Sequence, residues 1–299
     1  MGTSRQISVV IPTIGRVEPL RRCLKSIAAS TEPPAEVVVV DQSRGPDVER
    51  IASRAELPTV HVVPSAQRGI SLGLNIGIRA ARNEVVLVTH DDCTVADTWV
   101  ETASALMAAD GDRLVTGRVI PAGDPRAVPT TKDHPRAQDF TGHAYWGGLL
   151  PMNMAFRRAD VIEFGGFDER FTSASEDTDF CYRWLLSGRR LHYLPEIVVW
   201  HHDTRTPEEL ERVYVAYWRG HGRFYAKHLW RGDARILRFI ARDLLWDAPH
   251  AMRDRLVDGR PRWTDSRRGI LAGLSRGLLE GAWEFRDERR TTGSRRHLR

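Results

Sequence analysis

Four short runs near the start of the 299-residue chain are apolar almost without interruption: residues 7–13 (ISVVIPT), 35–41 (AEVVVVD), 59–65 (TVHVVPS) and 84–90 (EVVLVTH). A strand with one solvated face alternates apolar and polar residues, so unbroken β-branched runs predict strands covered on both faces. Between them the period changes. Leu20, Leu24, Ile27 and Ala28, then Val48, Ile51 and Ala52, then Leu72, Ile76 and Ala80 fall at helical spacing. Strand and helix in alternation predict a mostly parallel α/β sheet flanked by helices. Ligands of such sheets bind beyond the carboxyl ends of the strands. The polar residues that close the runs, Thr13, Asp41 and the cluster His90, Asp91 and Asp92, are therefore expected along one edge.

Downstream, RLVTGRVIP (113–121) reads as another strand and is followed, to about residue 143, by a Pro-, Gly-, His- and Asp-rich stretch with little periodicity, a loop long enough to be functional or mobile. Residues 165–188 (GGFDERFTSASEDTDFCYRWLLSG) lead from a glycine-rich turn into an amphipathic helix starting near Ser175, with Glu176 and Asp177 in its first turn, where the helix dipole favours anions. A last strand is expected within 189–203, and from about 206 onward the pattern is helical. In RILRFIARDLLW (235–246), Ile236, Ile240 and Leu244 share a face with Leu237 and Leu245, opposite Arg235, Arg238 and Arg242. That stripe either packs on the rest of the chain or a second copy, or enters an anionic membrane surface while the arginines meet head groups.

Composition narrows the class. Hydrophobic residues at 41% and charged residues at 28% are those of an ordinary globular protein of one or two domains. No run approaches the ~18 apolar residues of a membrane span, and a strand pattern begins too early to leave room for a signal peptide, so a cytoplasmic protein is expected. Cys23, Cys93 and Cys181 lack metal-ligand spacing and are expected as reduced thiols, Cys93 packed at a strand end and not acting as a nucleophile. The net charge of +5 is uneven: up to Asp203 there are 22 basic and 26 acidic residues, a charge of −4, and beyond it 22 and 13, a charge of +9. No nucleic-acid-binding motif accompanies the basic part, so no nucleic-acid partner is expected.

Adjacent carboxylates repel and are costly to desolvate unpaired. Asp91 and Asp92 thus either cap the following element or await a hard cation such as Mg²⁺ or Mn²⁺, which shares its remaining coordination with substrate phosphates. The order VVIPTIGR, VVVVDQS, RNEVVLVTHDDC, GGFDERF, EDTDFCYRW and LPEIVVWHH resembles the family 2 glycosyltransferases of the GT-A fold over roughly residues 5–203. The resemblance implies an inverting enzyme that takes a nucleotide-diphosphate sugar. Pro12, Thr13 and Asp41 would bind the nucleotide, Asp91 the ribose and metal, and Asp92 would be the direct metal ligand. His201 would be a second ligand, ahead of His202. Asp177 of the ED motif would be the general base on the acceptor, with Asp179 structural. Arg16 and Arg68, on loops after the first and third strands, would neutralise phosphates or contact the base, or else form surface ion pairs.

His90 stands where the family motif often carries a first aspartate, and a packing or hydrogen-bonding role is expected of it. Asn75, in SLGLNIGIRAA, is read as shaping the site. Processive relatives carry Gln-x-x-Arg-Trp and membrane helices; here Phe180 occupies the glutamine position before Arg183 and Trp184, which implies one sugar per encounter. The expected organisation is a catalytic domain over 1–203, with nucleotide-sugar binding in about 5–122 and acceptor binding in about 123–203, followed by a basic helical extension over 204–299. The acceptor, a glycan, a lipid-linked molecule or a small molecule, would meet the irregular 123–150 region, where Tyr145 and Trp146 offer stacking surfaces or pack in the core. The extension is expected to mediate peripheral contact with the inner face of a membrane, or a homodimer. Two rivals remain: a sugar-phosphate nucleotidyltransferase, disfavoured because no glycine-rich loop with a following Lys or Arg succeeds VVIPT, and a non-catalytic nucleotide-binding scaffold.

Overall fold

A computed structural model describes residues 7–109, 114–125, 127–142, 150–203, 205–247 and 269–286. The four apolar runs form β1 (Ile7–Thr13), β2 (Glu36–Asp41), β3 (Val60–Pro64) and β4 (Val85–Val88), parallel and in the order β3-β2-β1-β4. The crossovers are α1 (Val17–Ala28), α2 (Asp47–Ala52) and α3 (Ile70–Ala80). The runs are unbroken because successive residues feed two cores. Ile7, Val9 and Ile11 pack in one with Leu20, Leu24 and Ile27 of α1, while Val10, Val38 and Val40 join Leu74 and Ile78 of α3 in the other. Gly77 permits the close approach of α3, since a Cβ there would lie 2.3 Å from Val10 Cγ1.

The second half of the sheet departs from the parallel expectation. β5 (Cys93–Val95), α4 (Trp99–Ala109), β6 (Leu114–Pro121), β7 (Gln138–Phe140), β8 (Met154–Arg157), α5 (Arg158–Phe164), α6 (Glu176–Leu186) and β9 (Leu191–His201) follow. The nine strands form one mixed sheet, β3-β2-β1-β4-β8-β6-β9-β5, with β7 also on β9. β8 runs antiparallel to β4 and β6, and β9 is parallel to β6 but antiparallel to β5 and β7. The change of direction comes from short strands of three or four residues, β5, β7 and β8, too short to display a period.

By compactness the chain resolves into two units, one comprising Met1–Gly123, Thr130–Thr172 and Glu176–Asp203, the other Asp124–Pro129, Ser173–Ser175 and Thr204–Arg299. The first contains the whole sheet. In the second, α7 (Pro207–Trp230) starts with a reciprocal cap: Glu209 N–H donates to Thr206 Oγ1 at 3.3 Å and Thr206 N–H to Glu209 Oε2 at 2.8 Å. α8 (Ile236–Arg242) buries Ile236 but leaves Leu237 58% exposed, and Leu245 in the turn that follows is 76% exposed, so the single apolar face expected over 235–246 is split. α9 (Ser275–Glu284) turns its smallest residues inward. A Cβ at Gly277 would lie 2.0 Å from Arg219 O of α7, and one at Gly281 2.7 Å from Ala226 Cβ, so glycine lets the two backbones approach. Leu279 and Trp283 consequently face solvent, and Leu271 in the preceding turn is exposed as well.

Candidate active site

The residues that end β1 and follow β4 meet directly. Thr13, the last residue of β1, donates from Oγ1 to Asp91 Oδ2 at 2.6 Å and accepts the Gly15 N–H at 3.0 Å, turning the chain toward Arg16. Arg16 then reaches back: Nε donates to Asp91 Oδ2 at 3.2 Å, and Nη2 bonds Asp91 Oδ1 and lies 2.8 Å from Asp92 Oδ2. The positive charge anticipated opposite the two aspartates is thus, within the chain itself, a guanidinium.

The pairing of β5 with β9 brings the distal motif to the same place, because Cys93 is in register with His201. His201 Nε2 lies 3.7 Å from Asp92 Oδ2 and 4.0 Å from Asp203 Oδ2, and its Nδ1 is held by Thr130 O at 3.0 Å. A ring whose Nδ1–H is fixed on a carbonyl presents Nε2 as the ligand atom, the usual second-shell arrangement of metal-binding histidines. Asp92, Cys93 and His201 offer ligand atoms within 4.8 Å of one another. Asp92 carries the carboxylate oxygen suited to Mg²⁺ or Mn²⁺, and His201 adds one imidazole nitrogen beside it. Burial pushes the Cys93 thiol well up, so it remains protonated, in keeping with the packing role.

Electrostatics separates the two aspartates. Burial works to raise Asp92, but the facing His201 imidazole and the charge of Arg16 hold it well below the usual carboxylate range. Asp91 stays somewhat raised, since burial exceeds the opposing hydrogen bonds from Arg16 and Thr13. Burial would lower Arg16, yet Asp91 and Asp92 hold it protonated and raise it. His90 is lowered to about 4 by burial and is therefore neutral at neutral pH; its Nε2 is buried with no hydrogen-bond partner among the described residues. His202 turns aside to Thr94 Oγ1 at 2.8 Å.

The other expected nucleotide residues sit around this cluster. Asp41 is in register with Thr13 across β1 and β2, and its Oδ1 accepts the Ser43 N–H at 2.8 Å. Pro12 is buried beneath α3, where a Cβ at Gly73 would approach its Cβ to 3.1 Å. Arg68 is exposed after β3, with Nε donating to Gln42 O at 3.3 Å. Gln42 itself escaped the sequence reading: its buried amide donates to Gly69 O at 2.9 Å and Gln67 O at 3.3 Å, setting the loop that carries Arg68.

Asn75 organises the approach to α6. Its amide donates to Phe167 O at 2.8 Å and Glu169 Oε1 at 2.9 Å, and its Oδ1 accepts the Phe167 N–H at 2.9 Å. Gly166, at φ +66°, is the residue this clasp requires, since a Cβ there would lie 2.5 Å from Asn75 Oδ1. Ser71 Oγ ties Phe171 O at 2.6 Å. At the start of α6, Asp177 Oδ1 accepts from Thr178 N–H at 2.7 Å and from its hydroxyl at 3.3 Å. Glu176 is buried, and its Oε2 has no hydrogen-bond partner among the described residues. Burial first, then the Asp177 charge, pushes Glu176 up to about 8, and burial raises Asp177 as well. Asp179 is structural, accepting from Arg183 Nε at 2.7 Å. Tyr145 and Trp146 lie outside the described residues.

Comparison with known proteins follows the same lines. A sequence model of glycosyl transferase family 2 matches residues 8–163, just over half of the chain. A pre-mycofactocin glycosyltransferase of Mycobacterium tuberculosis is 26% identical over 213 residues, covering 68% of this chain but 43% of that protein, so the chain spans less than half of that relative's length. The glycosyltransferase AglE of Haloferax volcanii is 25% identical over 254 residues, covering 80% of this chain and 79% of AglE. Among solved structures, the mannosyltransferase PcManGT from Pyrobaculum calidifontis, in complex with GDP-Man and Mn²⁺, superposes with a TM-score of 0.62 at 18% identity over 93% of this chain and 87% of that one.

Proposed function

Because the chain belongs to glycosyl transferase family 2, we propose that it moves one sugar from a nucleotide-diphosphate sugar to an acceptor hydroxyl, with inversion at the anomeric carbon and with Mn²⁺ or Mg²⁺ as cofactor. The observation that carries this reading is the meeting of Thr13, Arg16, Asp91, Asp92 and His201 just beyond the carboxyl ends of β1 and β4. Asp92 and His201 would hold the cation, which would supply positive charge to the departing diphosphate. The GDP-Man and Mn²⁺ bound by the mannosyltransferase support the same donor class and ion.

The chain's own residues divide the remaining work. Pro12, Thr13 and Asp41 line the ends of β1 and β2, where a base and ribose would lie, and Asp91 would face the ribose. Arg16 and Arg68 offer planar guanidinium groups to phosphate oxygens. Asp177 is the general base. Two buried adjacent carboxyls cannot both ionise cheaply, and the donors separate them. The Thr178 N–H and hydroxyl favour the charged form of Asp177, whereas Glu176 Oε2 has no such donor among the described residues and keeps its proton. Oδ1 is held by Thr178, and the other Asp177 oxygen would accept the acceptor's proton.

Residues 1–203 would carry this chemistry and 204–299 would form the basic extension. None of the described helices is long and apolar enough to cross a membrane. Peripheral contact of the extension with an anionic membrane, in a cytoplasmic protein, is supported by the exposed Leu237, Leu245, Leu271, Leu279 and Trp283 and by the excess of arginine beyond Asp203. The catalytic reading is tested with a thermal-shift panel of UDP, GDP and their sugars, each with and without Mn²⁺, followed by Asp177→Asn on the donor found. Donor binding should survive that change while sugar transfer falls by about 10² or more. Equal loss of both would remove Asp177 as the base, and no Mn²⁺-dependent ligand in the panel would overturn the donor assignment.

A further inference from the structure

Arg16 and the expected metal compete for one atom. Asp92 Oδ2 lies 2.8 Å from Arg16 Nη2 and 3.7 Å from His201 Nε2, so the carboxylate oxygen that faces the imidazole is already paired with the guanidinium. The same guanidinium also bonds both oxygens of Asp91. Asp91 is 1% and Asp92 7% exposed. Two buried, adjacent carboxylates need a counter-charge at all times, and in the free chain Arg16 provides it.

Resting on the metal assignment above, we propose that Arg16 is a resident counter-ion exchanged on loading: a divalent cation arriving between Asp92 and His201 displaces the guanidinium from Asp92 Oδ2, and the displaced guanidinium then pairs with the donor's diphosphate. Each half of the exchange favours the other. A cation arriving alone breaks the Arg16–Asp92 pair and leaves the guanidinium without a replacement partner on that side. A cation arriving with a nucleoside diphosphate supplies one. Arg16 would thus make metal binding and nucleotide binding cooperative, beyond whatever coupling direct contact between metal and phosphate provides.

The experiment measures Mn²⁺ affinity without turnover, by calorimetry or from the free-Mn²⁺ resonance, in the wild type, Arg16→Met, Arg16→Lys and Asp92→Ala, each alone and with UDP or GDP. The exchange predicts that Arg16→Met binds Mn²⁺ alone about tenfold or more tightly than wild type, the loss of one charge-assisted pair from the competition. The enhancement of Mn²⁺ affinity by nucleotide should shrink by a similar factor. Arg16→Lys keeps the charge but not the fork and should fall between the two, which keeps the idea testable if the methionine variant does not fold. Unchanged or weaker Mn²⁺ binding in both Arg16 variants, with that binding still lost in Asp92→Ala, would overturn the exchange and leave the metal site standing. Undiminished Mn²⁺ binding in Asp92→Ala, or none in any protein, would overturn the metal site and the exchange together.

Discussion

Replacing Glu176 by glutamine isolates the cost of a buried carboxyl that has nothing to ionise against. Glu176 is 7% exposed, its Oε2 lacks a hydrogen-bond partner among the described residues, and burial with the adjacent Asp177 charge moves it from 4.5 to about 8. Below pH 4.5 the side chain is neutral in folded and unfolded chains alike, so its contribution is fully present there. As the pH rises toward 8 the unfolded chain releases the proton and the folded chain holds it, so stability is progressively lost. At about 1.4 kcal/mol per unit the displacement corresponds to roughly 5 kcal/mol, an upper limit, since relaxation and water entry around a buried charge reduce it to about 2–3 kcal/mol. Glutamine has no proton to lose, and Asp177 is present in both proteins. Denaturant titrations at pH 4.5, 6, 7.5 and 9 should therefore show variant and wild type nearly equal at the acid end. The variant should become more stable by about 2–3 kcal/mol at the alkaline end, or about 3–5 °C in melting temperature for a chain of this size. A stability difference that stays constant across the range, or grows in favour of the wild type, would refute the protonated Glu176.

Two further outcomes follow from other parts of the molecule. Asn75→Ala leaves the buried Phe167 N–H and C=O without their side-chain partner, and should cost about 2–4 kcal/mol in denaturant unfolding; a loss under about 0.5 kcal/mol would show that the loop before α6 does not depend on the clasp. The double change Leu279→Ser and Trp283→Ser removes two side chains that are 74% and 72% exposed, so folding stability should move by no more than about 0.5 kcal/mol. The unaltered chain should co-sediment weakly with anionic vesicles and lose that binding at high salt, and the double variant should lose it at low salt as well. Absence of binding by the unaltered chain at low salt, or binding indifferent to salt, would remove the membrane contact.

What the sequence displayed and what it concealed divide along physical lines. Strands β1 to β4 were legible because burial on both faces writes an unbroken apolar run, and because Thr13, Asp41 and Asp91–Asp92 end or closely follow those runs. β5, β7 and β8 were not legible, since three or four residues hold no period, and with them went the antiparallel half of the sheet. That half matters for the site: the three-residue β5 sets Cys93 opposite His201 and so brings the distal histidine to Asp92. Arg16 was identified as a loop arginine, but its partners lie 75 and 76 positions away in the chain, a pairing that only the folded register of β1 and β4 creates. On α9 the hydrophobic pattern misleads outright. The buried face is made of Gly277 and Gly281, because backbone proximity to α7 excludes any larger residue, and the large apolar side chains point away.

The chain manages its two adjacent acidic pairs by opposite means, and the difference matches the work proposed for each. Asp91 and Asp92 are neutralised by charge: Arg16 spans both and His201 faces Asp92, so Asp92 is ionised at any ordinary pH and is available to a cation. Glu176 and Asp177 face no such cation through any hydrogen bond or ion pair among the described residues, and burial raises the proton affinity of both. A metal ligand must be charged before its ion arrives, whereas a base must be able to take up a proton from a hydroxyl and release it again, which favours a carboxyl whose affinity for protons has been raised. Exchanging the two environments would disable both functions: an arginine beside Asp177 would make it too weak a base, and removal of the positive groups around Asp92 would let burial protonate the ligand.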